Sequence, residues 1–172
     1  MSDRVLAETK YLRLIDRDGW YFVERPVGSG VVVLIAITDE RKLVLVEQFR
    51  PAIGRSIIEL PAGLVGDEAG HEEEAMESAA RRELLEETGY AAASITPIVN
   101  AISAPGISSE VVSFYRCTGL TKTGKGGGVA SEQIEVVEIP LDDAHAWLMT
   151  RAKAGHPVAV KVWAGLWLAQ HG

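Results

Sequence analysis

A single cysteine, Cys117, stands in the 172 residues, so no internal disulfide can form. It lies in the apolar run 111–117, which reads as a strand, and core packing is its expected role. Long hydrophobic stretches are missing as well: the longest, 31–38, falls far short of the roughly 20 residues that cross a bilayer. The opening 30 residues lack the basic start and extended apolar segment of a secretory leader, which leads us to expect a soluble, cytoplasmic protein with no membrane partner. Positive charge is in short supply. Seventeen Lys and Arg face 24 Asp and Glu, for a net charge of −7, which opposes attraction to a nucleic-acid backbone and excludes it as an expected partner. An anionic substrate would need bound cations or locally placed arginines. The four histidines, His71, His145, His156 and His171, show no zinc-ligand spacing.

What is present has the composition of an ordinary globular protein, with 47% hydrophobic and 24% charged residues, and the length suits one catalytic unit. Segments 9–15 and 20–25 are rich in β-branched and aromatic residues, and Asp18-Gly19 between them is a hairpin signal. We therefore expect an N-terminal β-hairpin region over 1–28, followed by a single domain over 29–172. Strands are expected at 31–37, 43–49, 57–60, 95–102, 110–117 and 134–139. From His71 to Thr88 no Gly or Pro intervenes, and Ala, Glu, Leu and Arg dominate, which predicts a helix. Glu72, Glu73, Glu74 and Glu77 crowd its start, where the helix dipole favours negative charge, and Gly89 offers a left-handed cap at its end. Two more helices, near 142–154 and 158–170, complete an α/β layout of a mixed sheet between helices.

Within the central helix, Arg82-Glu83-Leu84-Leu85-Glu86-Glu87-Thr88-Gly89 sets three carboxylates at i, i+3 and i+4. Helical periodicity gathers them on one arc, where like charges repel unless a cation sits among them. A glutamate-decorated surface helix is the plain alternative. Carboxylate oxygens suit Mg²⁺, Ca²⁺ or Mn²⁺ rather than softer metals. The run from Glu74 through Arg82, Glu83, Glu86, Glu87 and Gly89 to Tyr90 resembles the larger part of the Nudix box. The glycine that the box places ahead of Glu74 is replaced by Glu68, and Gly63 takes its part, so the intervening loop 64–73 is longer than the family spacing. Pairing Gly66 with Glu72 is the other assignment. Surface loops accommodate such insertions at small entropic cost.

Upstream, Glu47-Gln48-Phe49-Arg50-Pro51 and Glu59-Leu60-Pro61-Ala62-Gly63 look like the approach to the box in the ADP-ribose pyrophosphatase subfamily, and Pro105, downstream of Gly89, matches it too. The resemblance runs over about 9–140. It implies a Nudix α/β/α sandwich that hydrolyses the pyrophosphate bond of a nucleotide sugar, ADP-ribose to AMP and ribose 5-phosphate, with GDP-mannose as the alternative substrate. It also implies that Glu83, Glu86 and Glu87, with the backbone carbonyl of Ala62, hold Mg²⁺, for which Mn²⁺ could substitute. Arg82 and Glu74 would orient these carboxylates. Glu132 is the candidate acceptor of the water proton, because it follows a glycine-rich, mobile-looking loop, Gly124 to Gly128; Glu135 and Glu138 compete with it. Arg50 would contact phosphate, and Trp20 and Tyr11 in the hairpin would stack on the base, in a homodimer that brings residues from a second subunit.

Gly119 to Lys125 nearly fits a phosphate-binding P-loop, but Gly126 stands where Ser or Thr must reach the metal. A non-catalytic sensor of the same fold would need the pocket without the metals, so it has no use for three mutually repelling glutamates.

Overall fold

The computed structural model describes residues 3–26, 30–66, 75–128 and 133–171. Three short strands open the chain: β1 (Asp3–Glu8), β2 (Arg13–Arg17) and β3 (Trp20–Glu24), joined as an antiparallel sheet. The Asp18-Gly19 turn is the one expected, with both residues at positive φ and the Gly19 N–H donating to Asp16 Oδ1 at 2.9 Å. The hairpin expectation omitted β1. That strand is exposed along its whole length and alternates nothing, so no periodicity betrays it.

The body is built on β4 (Gly30–Ala36), β5 (Lys42–Arg50), β6 (Arg55–Glu59), β7 (Ala62–Val65), β8 (Tyr90–Ile102), β9 (Val111–Lys122) and β10 (Ile134–Pro140). They form a mixed sheet in the order β7-β4-β9-β8 and an antiparallel one in the order β10-β5-β6. β4 runs parallel to β9, pairing Val31 with Val112, and is buried on both faces. Val31, Val33 and Ile35 join one core with Leu43, Leu45 and Ile58, whereas Val32, Leu34 and Ala36 join a second with Val44 and Leu84. Helix α1 (Met76–Thr88) covers the second core through Ala79, Ala80 and Leu84. The first is covered by α2 (Ala144–Lys153), through Ala144 and Leu148, and by α3 (Val160–His171), through Val162, Leu166 and Ala169. The expected helix–sheet–helix sandwich is thus the observed one. Among the described residues, no helix is long and apolar enough to cross a membrane.

β7 was not anticipated, since it is short, carries Gly63 and follows Pro61 directly. Its pairing with β4 is what swings Ala62 and Gly63 beneath α1. Gly89 closes α1 as expected, at φ 72° with its N–H donating to Leu85 O at 2.8 Å.

Candidate active site

A cleft of about 540 Å³ opens between α1 and the ends of β5, β6 and β7. Glu83, Glu86, Glu87 and Arg82 form its helical wall, and Ala62, Gly63 and Leu64 line it from β7. The sequence pattern therefore converges in space with both of its parts.

Local chemistry fixes each group. Arg82 Nη1 donates to Glu83 Oε1 at 2.8 Å and Glu86 Oε2 at 3.3 Å, and its Nη2 reaches the Leu64 carbonyl at 3.2 Å. One guanidinium thus offsets the repulsion between two carboxylates and ties α1 to β7. Glu87 is only 4% exposed, and the Ala62 N–H donates to its Oε2 at 3.0 Å, which compensates burial of the carboxylate. Gly63 is required by space: a Cβ there would fall on the Glu83 carboxyl group. That vacated volume is a cradle for a carboxylate against backbone, in a site whose donors are all oxygens. The donor set fits a hard divalent cation. Among the described residues, no three acidic or imidazole side chains already converge as a metal cluster, since Arg82 and the Ala62 N–H engage the glutamates instead.

Arg50 lines the cleft from β5, and its Nε donates to Glu59 Oε2 at 2.6 Å. Ladder register sets Glu59 opposite Val46 rather than Arg50, so this ion pair runs diagonally across the Gln48 position. Arg25 is held by Glu110 at 3.1 Å on the opposite side. Lys161, from the first turn of α3, also faces the space, and among the described residues nothing pairs with its ammonium. Gln48 and Glu59 fell within the segments that carry the resemblance but were given no role at the site, and Arg25, Glu110 and Lys161 were not anticipated at all. Gln48 had a signal, because it stands two residues before Arg50 on one strand and so shares its face. The pairing of Arg25 with Glu110 across the fold had none.

Other expected residues lie elsewhere. Trp20 and Tyr11 are 63% and 61% exposed on the N-terminal sheet and line no part of this cleft. Pro105 is exposed in the loop between β8 and β9, which is tied to β3 by Val23 N–H donating to Ile107 O at 2.9 Å and Ser109 N–H donating to Val23 O at 3.2 Å. Glu74 and Glu132, with loop residues 67–73, lie outside the described residues. Of Glu132's competitors, Glu138 accepts the Tyr90 hydroxyl at 2.6 Å, and neither it nor Glu135 lines the cleft.

The loop expected to be mobile is docked over its described part. Gly127 and Gly128 donate their N–H groups to the carbonyls of Glu87 and Glu86, both at 2.9 Å, and Lys122 Nζ donates to Thr88 O at 2.8 Å. Three successive glycines, Gly126 to Gly128, hold positive φ to do so. This segment satisfies carbonyls that the end of α1 would otherwise leave open.

The family model described as NUDIX domain matches residues 28–161. The chain belongs to the Nudix family. Over 116 residues it is 38% identical to the ADP-ribose pyrophosphatase of Bacillus subtilis (strain 168) and 36% identical to the methanol dehydrogenase activator of Bacillus methanolicus, covering 67% of this chain and 60% of each relative. It is 33% identical over 132 residues to the GDP-mannose pyrophosphatase of Enterobacter sp. (strain 638), covering 72% of this chain and 65% of that one. The chain therefore spans about three fifths to two thirds of the length of these Nudix relatives. A crystal structure of an ADP compounds hydrolase shares the fold, with a TM-score of 0.64 at 20% identity, over 85% of this chain and 81% of the other.

Proposed function

We propose that this Nudix protein is a pyrophosphohydrolase of nucleoside diphosphate sugars, with ADP-ribose the preferred substrate and GDP-mannose the alternative. The observation that carries the reading is the meeting of Glu83, Glu86 and Glu87 with Ala62 and Gly63 of β7 in a cleft that also holds Arg25, Arg50 and Lys161. Carboxylates alone would repel a diphosphate, and cations alone would bind it without hydrolysing it. The relatives named for ADP-ribose and GDP-mannose hydrolysis support the substrate class.

Glu83, Glu86, Glu87 and the Ala62 carbonyl would hold the divalent cation, Mg²⁺ or in its place Mn²⁺. Bound there, it supplies charge neutralisation and Lewis acidity to the diphosphate. Arg82 keeps Glu83 and Glu86 in place from its contacts with both. Arg50 exchanges the Glu59 carboxylate for a phosphate oxygen, a partner its planar fork suits equally well. Lys161 offers a second positive charge. Glu132 is our candidate for the group that accepts the proton of the attacking water. One water adds across the bond, giving AMP and ribose 5-phosphate from ADP-ribose. The N-terminal sheet builds a homodimer, and Trp20 and Tyr11 stack on the base bound by the opposite subunit.

The test is product release from ADP-ribose, GDP-mannose and dATP by purified protein, with and without Mg²⁺, beside Glu86→Gln. We expect AMP and ribose 5-phosphate only with metal, and a fall in kcat of at least about a hundredfold in the variant, the scale of losing one preorganised electrostatic group. Tight binding of ADP-ribose without turnover of any substrate would instead make the protein a sensor, a role in line with the relative named an activator.

A further inference from the structure

Gln48 is only 6% exposed, faces the cleft, and among the described residues makes no side-chain hydrogen bond. Its aliphatic stem is packed into the wall while its amide atoms open to the cleft, so the N–H donors are available to a ligand without leaving a sealed, unsatisfied group. Its neighbours define that use. On β5 it follows Val44 and Val46 on the α1-facing side and precedes Arg50 on the same face, one strand repeat away. The Arg50–Glu59 ion pair crosses its position, and Glu87 and Ala62 line the same cavity. A carboxylate at this point would add to an already crowded negative charge, and an apolar residue would offer a ligand nothing. A neutral amide donates two N–H groups without repelling an anion.

We propose that Gln48 is a ligand-binding residue whose amide N–H group donates to an oxygen of the ligand's diphosphate. This rests on the nucleotide-sugar reading of the cleft. A diphosphate presents acceptors only, which matches the amide's free donors and explains why they find no partner within the protein. The position also couples the contact to Arg50: when that guanidinium turns from Glu59 to phosphate, both groups reach the ligand from one strand face.

Titration calorimetry of the full chain with ADP-ribose and with GDP-mannose, in EDTA so that no turnover occurs, tests the idea on the wild type, Gln48→Met and Gln48→Glu. Met keeps the length and bulk of Gln and removes its polar atoms. We expect Gln48→Met to weaken binding by about tenfold to a hundredfold, the range of a hydrogen bond to a charged group, while the ligand-free melting temperature stays level or rises. A structural role would show the reverse, a lowered melting temperature with unchanged affinity, and that result overturns the inference. Gln48→Glu retains shape and hydrogen-bonding atoms, so it covers the case in which the Met variant does not fold. Its affinity should fall at least as far at pH 8 and recover partly at pH 5, and wild-type affinity at pH 8 would again overturn the inference. Failure of the wild type to bind either nucleotide sugar in EDTA, together with no turnover of either in Mg²⁺, overturns the reading of the cleft as well, whereas wild-type binding by Gln48→Met overturns this inference alone.

Discussion

Tyr90, the first residue after the cap of α1, donates its hydroxyl to Glu138 and carries the Lys122 ammonium 4.3 Å above its ring. Burial, and after it the carboxylate of Glu138, push its pKa up to about 12. Cys117, sealed between β4 and β8, is raised to about 12 by burial, against a smaller lowering by the Arg81 charge. In the unfolded chain both groups ionise sooner, near their ordinary values of about 8.5 for Cys and 10 for Tyr. Above those values the folded state holds protons that the unfolded state has lost, so stability falls as pH rises. The contribution is intact below about pH 8.5 and disappears progressively toward pH 12. Urea midpoints measured at pH 7.5, 9.5 and 11 should decline in the wild type. Cys117→Ala should flatten the first part of that decline and Tyr90→Phe the second; a decline of equal size in the double variant would show that other groups govern it. The site residues divide in the same way between visible and hidden chemistry. Glu83, Glu86 and Glu87 could be read from spacing because helical geometry turns spacing into proximity. Arg25, Glu110 and Lys161 come from three distant stretches of chain, and only the tertiary fold brings them to one cavity.

Among elements, α1 was the most legible, because its composition and terminal glycine pointed the same way, although it begins at Met76 after an extended Ala75 rather than at His71, and Glu77 is the acidic residue in its first turn. Its partner segment was the least. Glycines at 124 to 128 suggest freedom, since each relaxes the backbone, and nothing local distinguishes a floppy run from one that must avoid a collision. Here they avoid a collision: a Cβ on Gly126 would meet the Thr88 carbonyl carbon and the Glu87 oxygen, at a residue already held at φ 71°. We expect Gly126→Ala to cost about 2–3 kcal/mol, combining left-handed strain with a displaced cap, and to lower kcat because Glu86 and Glu87 lie on the turn that is disturbed. Gly155 is the control. It has a similar φ of 85° with open space around its Cβ position, so Gly155→Ala should cost only about 1 kcal/mol and leave kcat unchanged. Thermal melts and initial rates of the two variants decide the matter, and equal losses would refute a special role for the docked loop. β7 and β1 were missed for opposite reasons, the first being too short to show alternation and the second wholly exposed.

Considered whole, the molecule has an unevenly finished surface. Val5, Leu6, Tyr11, Leu12, Trp20 and Tyr21 are all exposed on the small N-terminal sheet, a concentration of apolar side chains typical of a surface that meets a partner. Our proposed homodimer would cover them. Light scattering after gel filtration should give twice the chain mass, and the double variant Leu6→Asp with Trp20→Asp should give the monomer, with a raised KM for ADP-ribose as base stacking is lost. A wild-type chain that elutes as a monomer at micromolar concentration would end that proposal.

The parallel pairing of β4 with β9 also bears on how the chain is made. β4 is its most deeply buried strand, and Val31 meets its partner Val112 only after β5 to β8 and α1 have been synthesised. On a ribosome, the early strand must wait with one hydrogen-bonding edge bare, protected on the other by β7. Such long-range closure slows folding and leaves a nascent chain that is sticky until its middle third has emerged. Demand for chaperones during synthesis, rather than fragility afterwards, is therefore where this architecture is most exposed.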